Sequence, residues 1–227
     1  MGHRVRFAAN EHTCDGYLAE PAGGHGPGVV VIQEWWGLVP HVESLCDRLA
    51  AEGFLALAPD HYHGRTATSP DDARKLMMEL EVDHVGSEVE GAGELLLGKA
   101  GHAYPRYGVV GFCMGGALAQ WVATKDENVG AAVSFYGGFQ KVTPDWPRLY
   151  APLLLIYGGK DAGVPASQGE PLAARLRELG KEVEVAVYPD AGHAFFNDTR
   201  PQAYHAPSAE DAWSRTLAFL RRHLAGG

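Results

Sequence analysis

Residues 107–117 read YGVVGFCMGGA: an apolar run, then Gly111-Phe112-Cys113-Met114-Gly115, then small and apolar residues suited to a helix. A strand that turns this sharply into a helix holds the central residue in a strained backbone conformation. Side chains two positions away on either side would collide across the turn, so glycine is required at both 111 and 115. Cys113 therefore stands where a nucleophile stands, at the tip of the turn and the N-terminus of the following helix. The helix dipole and its free N–H groups favour a thiolate there. The backbone N–H of Met114 is a natural donor to a developing oxyanion. A free cysteine is otherwise most often a small buried hydrophobe. Cys14 and Cys46 lack the strand–turn–helix context, and Cys46 falls on the apolar face of a helical pattern.

Outward from this turn, β-type runs alternate with helical patterns, which marks an α/β chain with a mostly parallel central sheet and helices on both faces. Residues 4–7 and 15–19 flank a polar turn and are expected to pair as an edge hairpin. Residues 28–33, GVVVIQ, form a continuous apolar strand of the buried parallel kind. A helix is expected over 40–52, with Val42, Leu45, Cys46 and Leu49 on one face and Gly53 as its C-terminal stop. Strand 54–58 and a polar loop to about residue 68 follow. Ser69 caps a helix over 70–80 that has Pro70 in its first position. Further helices are expected at 83–97, 115–124, 166–179 and 208–223, and strands at 107–112, 131–136, 152–157 and 183–188. The 227 residues, 46% hydrophobic, suit one domain covering 1–227.

The formal charge of −9, from 19 basic and 28 acidic residues, disfavours nucleic acid as a partner. It leaves room for a locally positive pocket. Three cysteines with no CxxC pair argue against a disulfide framework or a zinc knuckle. The first residues, MGHRVRFAAN, hold no secretory apolar core, and no apolar run approaches the roughly 20 residues that span a bilayer. A cytoplasmic location with no membrane partner is expected, as a monomer or small homo-oligomer.

A thiol at its ordinary pKa needs a base. Asp161, in GGKDAGVP just beyond the 152–157 strand, faces the functional edge of a parallel sheet. His193, in DAGHAF beyond the last strand, is placed to swing over the nucleophile. Asp190 and, less favourably, Asp145 compete with Asp161 for the role of orienting acid. His61 and His63, in DHYHG, have the spacing of metal ligands. Zinc needs three or four convergent ligands, and the sequence shows no further cluster, so no metal is expected.

Cys113 in GFCMGG, Asp161 in GGKDAGVP, His193 in DAGHAF and Gln33-Glu34-Trp35-Trp36-Gly37 together resemble the dienelactone hydrolase family. The likeness runs from Tyr17 to the C-terminal helix. It implies an α/β-hydrolase fold and hydrolysis of a small-molecule ester or lactone, of carboxymethylenebutenolidase type, through a covalent acyl-enzyme and with no cofactor. By this resemblance Cys113 is the nucleophile, Asp161 the acid and His193 the base. Glu34 is the acidic residue that contacts the resting thiol, and Trp35 and Met114 supply the oxyanion N–H groups. Family members acting on dienelactone hold its carboxylate with arginine, one of them soon after the histidine. This chain has Asn197 in that place, so Asn197, Arg200 and Arg74 are the candidates for binding an anionic substrate. A broad carboxylesterase or thioesterase on the same fold is the alternative. A thiol redox sensor is a third reading, although a sensor has no need of an Asp161–His193 pair.

Overall fold

The computed structural model describes residues 1–10, 12–101 and 103–224. Its strands are β1 (His3–Ala9), β2 (His12–Ala19), β3 (Gly28–Ile32), β4 (Leu55–Pro59), β5 (Tyr107–Phe112), β6 (Val129–Phe135), β7 (Leu153–Gly158) and β8 (Val183–Tyr188). They form one eight-stranded sheet in the order β1-β2-β4-β3-β5-β6-β7-β8. The β1–β2 hairpin is antiparallel and joins β4 antiparallel, and every later pairing is parallel. This is an α/β-hydrolase architecture.

The helices are α1 (Pro40–Ala51), α2 (Pro70–Glu79), α3 (Val82–Ala100), α4 (Met114–Val122), α5 (Gly169–Glu178) and α6 (Ala206–Leu224). Two cores sandwich the sheet. One packs Val85, Val89 and Leu96 of α3, Leu118 of α4 and Leu176 of α5 against Val30, Val109 and Leu155. The other packs Val42, Leu45 and Leu49 of α1 and Leu217 and Leu220 of α6 against Val29, Val31, Val110 and Ile156. Because both faces are covered, β3 to β7 are buried along their whole length, and this is why they read as unbroken apolar runs.

Most boundaries lie within two or three residues of the sequence reading. Ser69 caps α2, its hydroxyl accepting from the Asp72 N–H at 3.2 Å. Two differences are local. The segment from residue 166 begins as a 3-10 turn (Ala166–Gln168) before α5 starts at Gly169, and a further 3-10 turn, Trp146–Arg148, lies between β6 and β7. None of the described helices is long and apolar enough to cross a membrane.

Candidate functional site

The parallel strands bring the sequence candidates to one edge of the sheet. Glu34 follows β3, Cys113 follows β5, Asp161 follows β7 and His193 lies beyond β8. Cys113 sits at φ 56° and ψ −117°, a left-handed conformation that costs a non-glycine residue roughly 1–3 kcal/mol. The surroundings enforce it. The Cys113 N–H donates to Phe135 O at 3.0 Å, and its carbonyl accepts from Gly116 N at 3.0 Å and Gly138 N at 3.3 Å. A β-carbon on Gly111 would lie 1.9 Å from Gly115 O, and one on Gly115 would lie 2.4 Å from Ile32 O. The two glycines are thus steric requirements of the turn.

His193 Nδ1 lies 2.6 Å from Asp161 Oδ2. Asp161 is buried, and its other oxygen accepts from Gly163 N at 2.8 Å and Val164 N at 2.9 Å. The carboxylate is therefore fixed by its own loop, and the His193 ring is oriented by it. Asp190, the rival acid, pairs with Lys160 at 3.1 Å on the surface, and Asp145 is exposed in the loop after β6.

Cys113, His193, Glu34, Trp35, Trp36, Met77, Ala194, Arg200, Gln202 and Ala203 wall one cavity of about 390 Å³. Among the described residues, no hydrogen bond joins the Cys113 sulfur to His193 or to Glu34, and the Trp35 N–H has no backbone acceptor. The thiol pKa is pushed up to about 12, first by burial and then by the charge of Glu34, while the Met114 N–H pulls it down. The helix N-terminus that favours a thiolate is outweighed. Glu34 is itself raised by burial, against the pull of the Asn197 amide and of His193 and Arg200.

Asn197 is buried and faces away from the role the sequence suggested. Its Nδ2 donates to Glu34 Oε2 at 2.8 Å, and its Oδ1 accepts from the Thr199 hydroxyl at 2.6 Å. The Tyr136 hydroxyl, also fully buried, lies close enough to Glu34 to feel its charge yet finds no hydrogen-bond partner. Sequence reading missed both Asn197 and Tyr136 as neighbours of Glu34, because nothing in the spacing ties residues 136 and 197 to residue 34. Arg200 stays on the cavity wall, its guanidinium 3.6 Å from the centre of the Trp36 ring. Arg74 lines a separate neighbouring cavity, with Met77 as a wall common to both, and pairs with Asp71 at 3.7 Å.

The dienelactone hydrolase family model matches residues 14–224. The chain belongs to the dienelactone hydrolase family, and with it is a hydrolase acting on ester bonds. Protein usf of Aquifex pyrophilus is 38% identical over 231 residues, covering 99% of this chain and all of the relative. A protein of Escherichia coli K12 named "Putative carboxymethylenebutenolidase" is 35% identical, covering 91% of this chain and 82% of its own. The crystal structure described as "Putative Dienelactone Hydrolase" from Klebsiella pneumoniae is 32% identical, with a TM-score of 0.87 and 98% of each chain covered.

Proposed function

We propose that the whole chain works as one hydrolase domain that cleaves a small ester or lactone, of carboxymethylenebutenolidase type, through a thioester on Cys113. The observation that carries this is the shared cavity: the Asp161-oriented His193 ring and the Cys113 turn border the same space. In the proposed cycle His193 Nε2 takes the thiol proton as the sulfur attacks the carbonyl carbon. The tetrahedral oxyanion is held by the Met114 and Trp35 N–H groups. His193 returns the proton to the leaving oxygen, leaving the thioester. Water, deprotonated by His193, then attacks the thioester and releases the acid and the thiol.

A thiol near 12 supports base-assisted attack over a standing thiolate, since at neutral pH very little of it is ionised. The same fact counts against a redox sensor, which needs a low-pKa thiol. Asp161 is the orienting acid, and Glu34 restrains the resting thiol by its charge. The cavity wall exposes mostly apolar surface from Trp35, Trp36, Met77, Ala194 and Ala203, and Arg200 is its one Arg or Lys beside Glu34, His193 and Gln202, which suits a small apolar ester or lactone bearing one anionic group. Three free cysteines fit a reducing, cytoplasmic setting.

The test is single-turnover mass spectrometry with a panel of esters and lactones. An acyl adduct on the peptide containing Cys113, and loss of both adduct and turnover in Cys113→Ala, are the expected results. Undiminished turnover in Cys113→Ala overturns the reading.

A further inference from the structure

Away from the Cys113 cavity, the fold gathers a second set of chemically active side chains that the hydrolytic reading does not use. Glu88, in the middle of α3, is fully buried. His12 comes to it from the start of β2, and His61 and His63 come from the loop after β4. His61 Nδ1 lies 2.6 Å from Glu88 Oε2. His12 Nε2 lies 3.5 Å and His63 Nε2 3.4 Å from the other oxygen, Oε1. Neither of these two approaches has hydrogen-bond geometry. Glu88 Oε1, His12 Nε2 and His61 Nε2 are all buried without a partner. An unsatisfied oxygen on a fully buried carboxylate is costly, so Glu88 Oε1 and the orphaned His12 Nε2 3.5 Å from it call for something between them. His61, His63 and Glu88 also line a cavity of about 310 Å³ together with His84 and Glu81.

We propose that Glu88 Oε1, His12 Nε2 and His63 Nε2 form a binding site for a divalent transition-metal ion of the zinc class, completed by water from the cavity. Tetrahedral bonds of about 2.0–2.1 Å place neighbouring ligand atoms roughly 3.3–3.4 Å apart, and both imidazole–carboxylate edges match that spacing. Mixed imidazole and carboxylate ligands suit zinc, cobalt or nickel. His61 plays the supporting part, its Nδ1–H holding Oε2 so that Oε1 stays free for the ion.

Among the described residues only Glu182, Glu184 and His223 already hold three ligand atoms within 4.8 Å of one another. Closing the Glu88 site therefore requires the His12 and His63 rings to approach each other. His63 has the freedom to do so, with its side chain 51% exposed. Its backbone is held in place at φ 51° by Asp60, whose side chain accepts from Tyr62 N and Gly64 N. A bound ion would tie β2, this loop and α3 together. It would also reach the nucleophile turn, because the Tyr62 hydroxyl lies 3.7 Å from Met114 Sδ.

The experiment is calorimetric titration of the chelator-treated full-length chain with zinc, with cobalt(II) absorption as a second readout. One equivalent bound, four-coordinate cobalt bands and a raised Tm are expected. His63→Asn, which tolerates the left-handed backbone, and His12→Gln should each weaken binding at least tenfold, while His223→Ala leaves it unchanged. Absence of binding in the wild type overturns the proposal. So does an affinity that survives both His63→Asn and His12→Gln, or one that disappears in His223→Ala, which would assign the ion to the exposed Glu182, Glu184 and His223 group.

Discussion

Replacing Glu34 with glutamine keeps the shape of the buried side chain and removes its charge. The Cys113 thiol stands at about 12 against an ordinary 9.0, with Glu34 second only to burial among the causes. Both side chains border a cavity whose equivalent sphere is about 9 Å across for a volume of 390 Å³. At an effective dielectric of about 20, two unit charges within about 12 Å interact by at least about 1.4 kcal/mol, or one pKa unit. A fall of one unit is therefore a conservative expectation for Glu34→Gln. Far below the pKa, that raises the thiolate fraction about tenfold. The less basic thiolate is also intrinsically slower by roughly threefold, given a Brønsted slope of about 0.4–0.5. The expected net effect is alkylation by iodoacetamide about three- to fourfold faster throughout pH 7–8. An equal or slower rate in the variant would refute the reasoning, because it would mean that Glu34 is protonated in the resting enzyme or does not act on the sulfur.

The same substitution carries a stability signature whose sign follows from linkage. Glu34 is raised in the folded state, mainly by burial, so folding favours its protonated form. The resulting penalty is absent below the unfolded carboxyl's pKa and grows as the pH rises through the folded one. Glu34→Gln lacks that penalty. Its Tm relative to wild type should therefore improve on going from pH 4 to pH 8, as followed by thermal denaturation.

Three further outcomes are expected. Asp161→Asn presents an amide N–H to His193 Nδ1 and mis-sets the tautomer, so kcat should fall on the order of 10³–10⁴-fold with little change in Tm, as read by steady-state kinetics and calorimetry. Gly115→Ala pushes a methyl to 2.4 Å from the Ile32 carbonyl and 2.5 Å from that of Gln33, and should cost more than about 4 kcal/mol or prevent folding, as read by chemical denaturation. Arg200→Met should raise KM roughly 10- to 100-fold for a lactone bearing a carboxylate and leave its neutral methyl ester unaffected; equal effects on both would remove the anion subsite.

The parts of this protein that were legible in its sequence are those whose cause is local. GVVVIQ and YGVVGF read as buried parallel strands because both faces of the sheet are covered, so the apolar runs are unbroken. The glycines at 111 and 115 read as a tight turn because a β-carbon has no room there. Asp161 and His193 were legible by position, each in a loop that follows a strand of a parallel sheet. The detail of Asn197 was not. The chain turns back after His193, with Ala194 at φ 59° and Asn197 N donating to Ala194 O at 3.0 Å. Phe195 and Phe196 are drawn into the core, and the Asn197 amide is carried with them beneath the cavity, onto Glu34. A place in a motif fixes distance along the chain, whereas the direction of a side chain is set by what its neighbours bury.

The Glu88 cluster shows the same limit from the other side. His61 and His63 alone are a spacing without a site, since two imidazoles do not fill a coordination sphere. Their meaning changes only when the β1–β2 hairpin, joined through β2 to β4, lays His12 near the loop that follows β4, and α3 packs across that end of the sheet with Glu88 turned inward. Glu88 lies on a helix whose other inward residues include Val85, Val89, Ala92 and Leu96, so periodicity alone assigns its position to the core. A charged residue on such a face demands a partner, and in a sequence it is the charge, not the pattern, that asks for one. The three histidines that answer are supplied by segments far apart in the chain, so sheet topology brings this chemistry together and no contiguous motif records it.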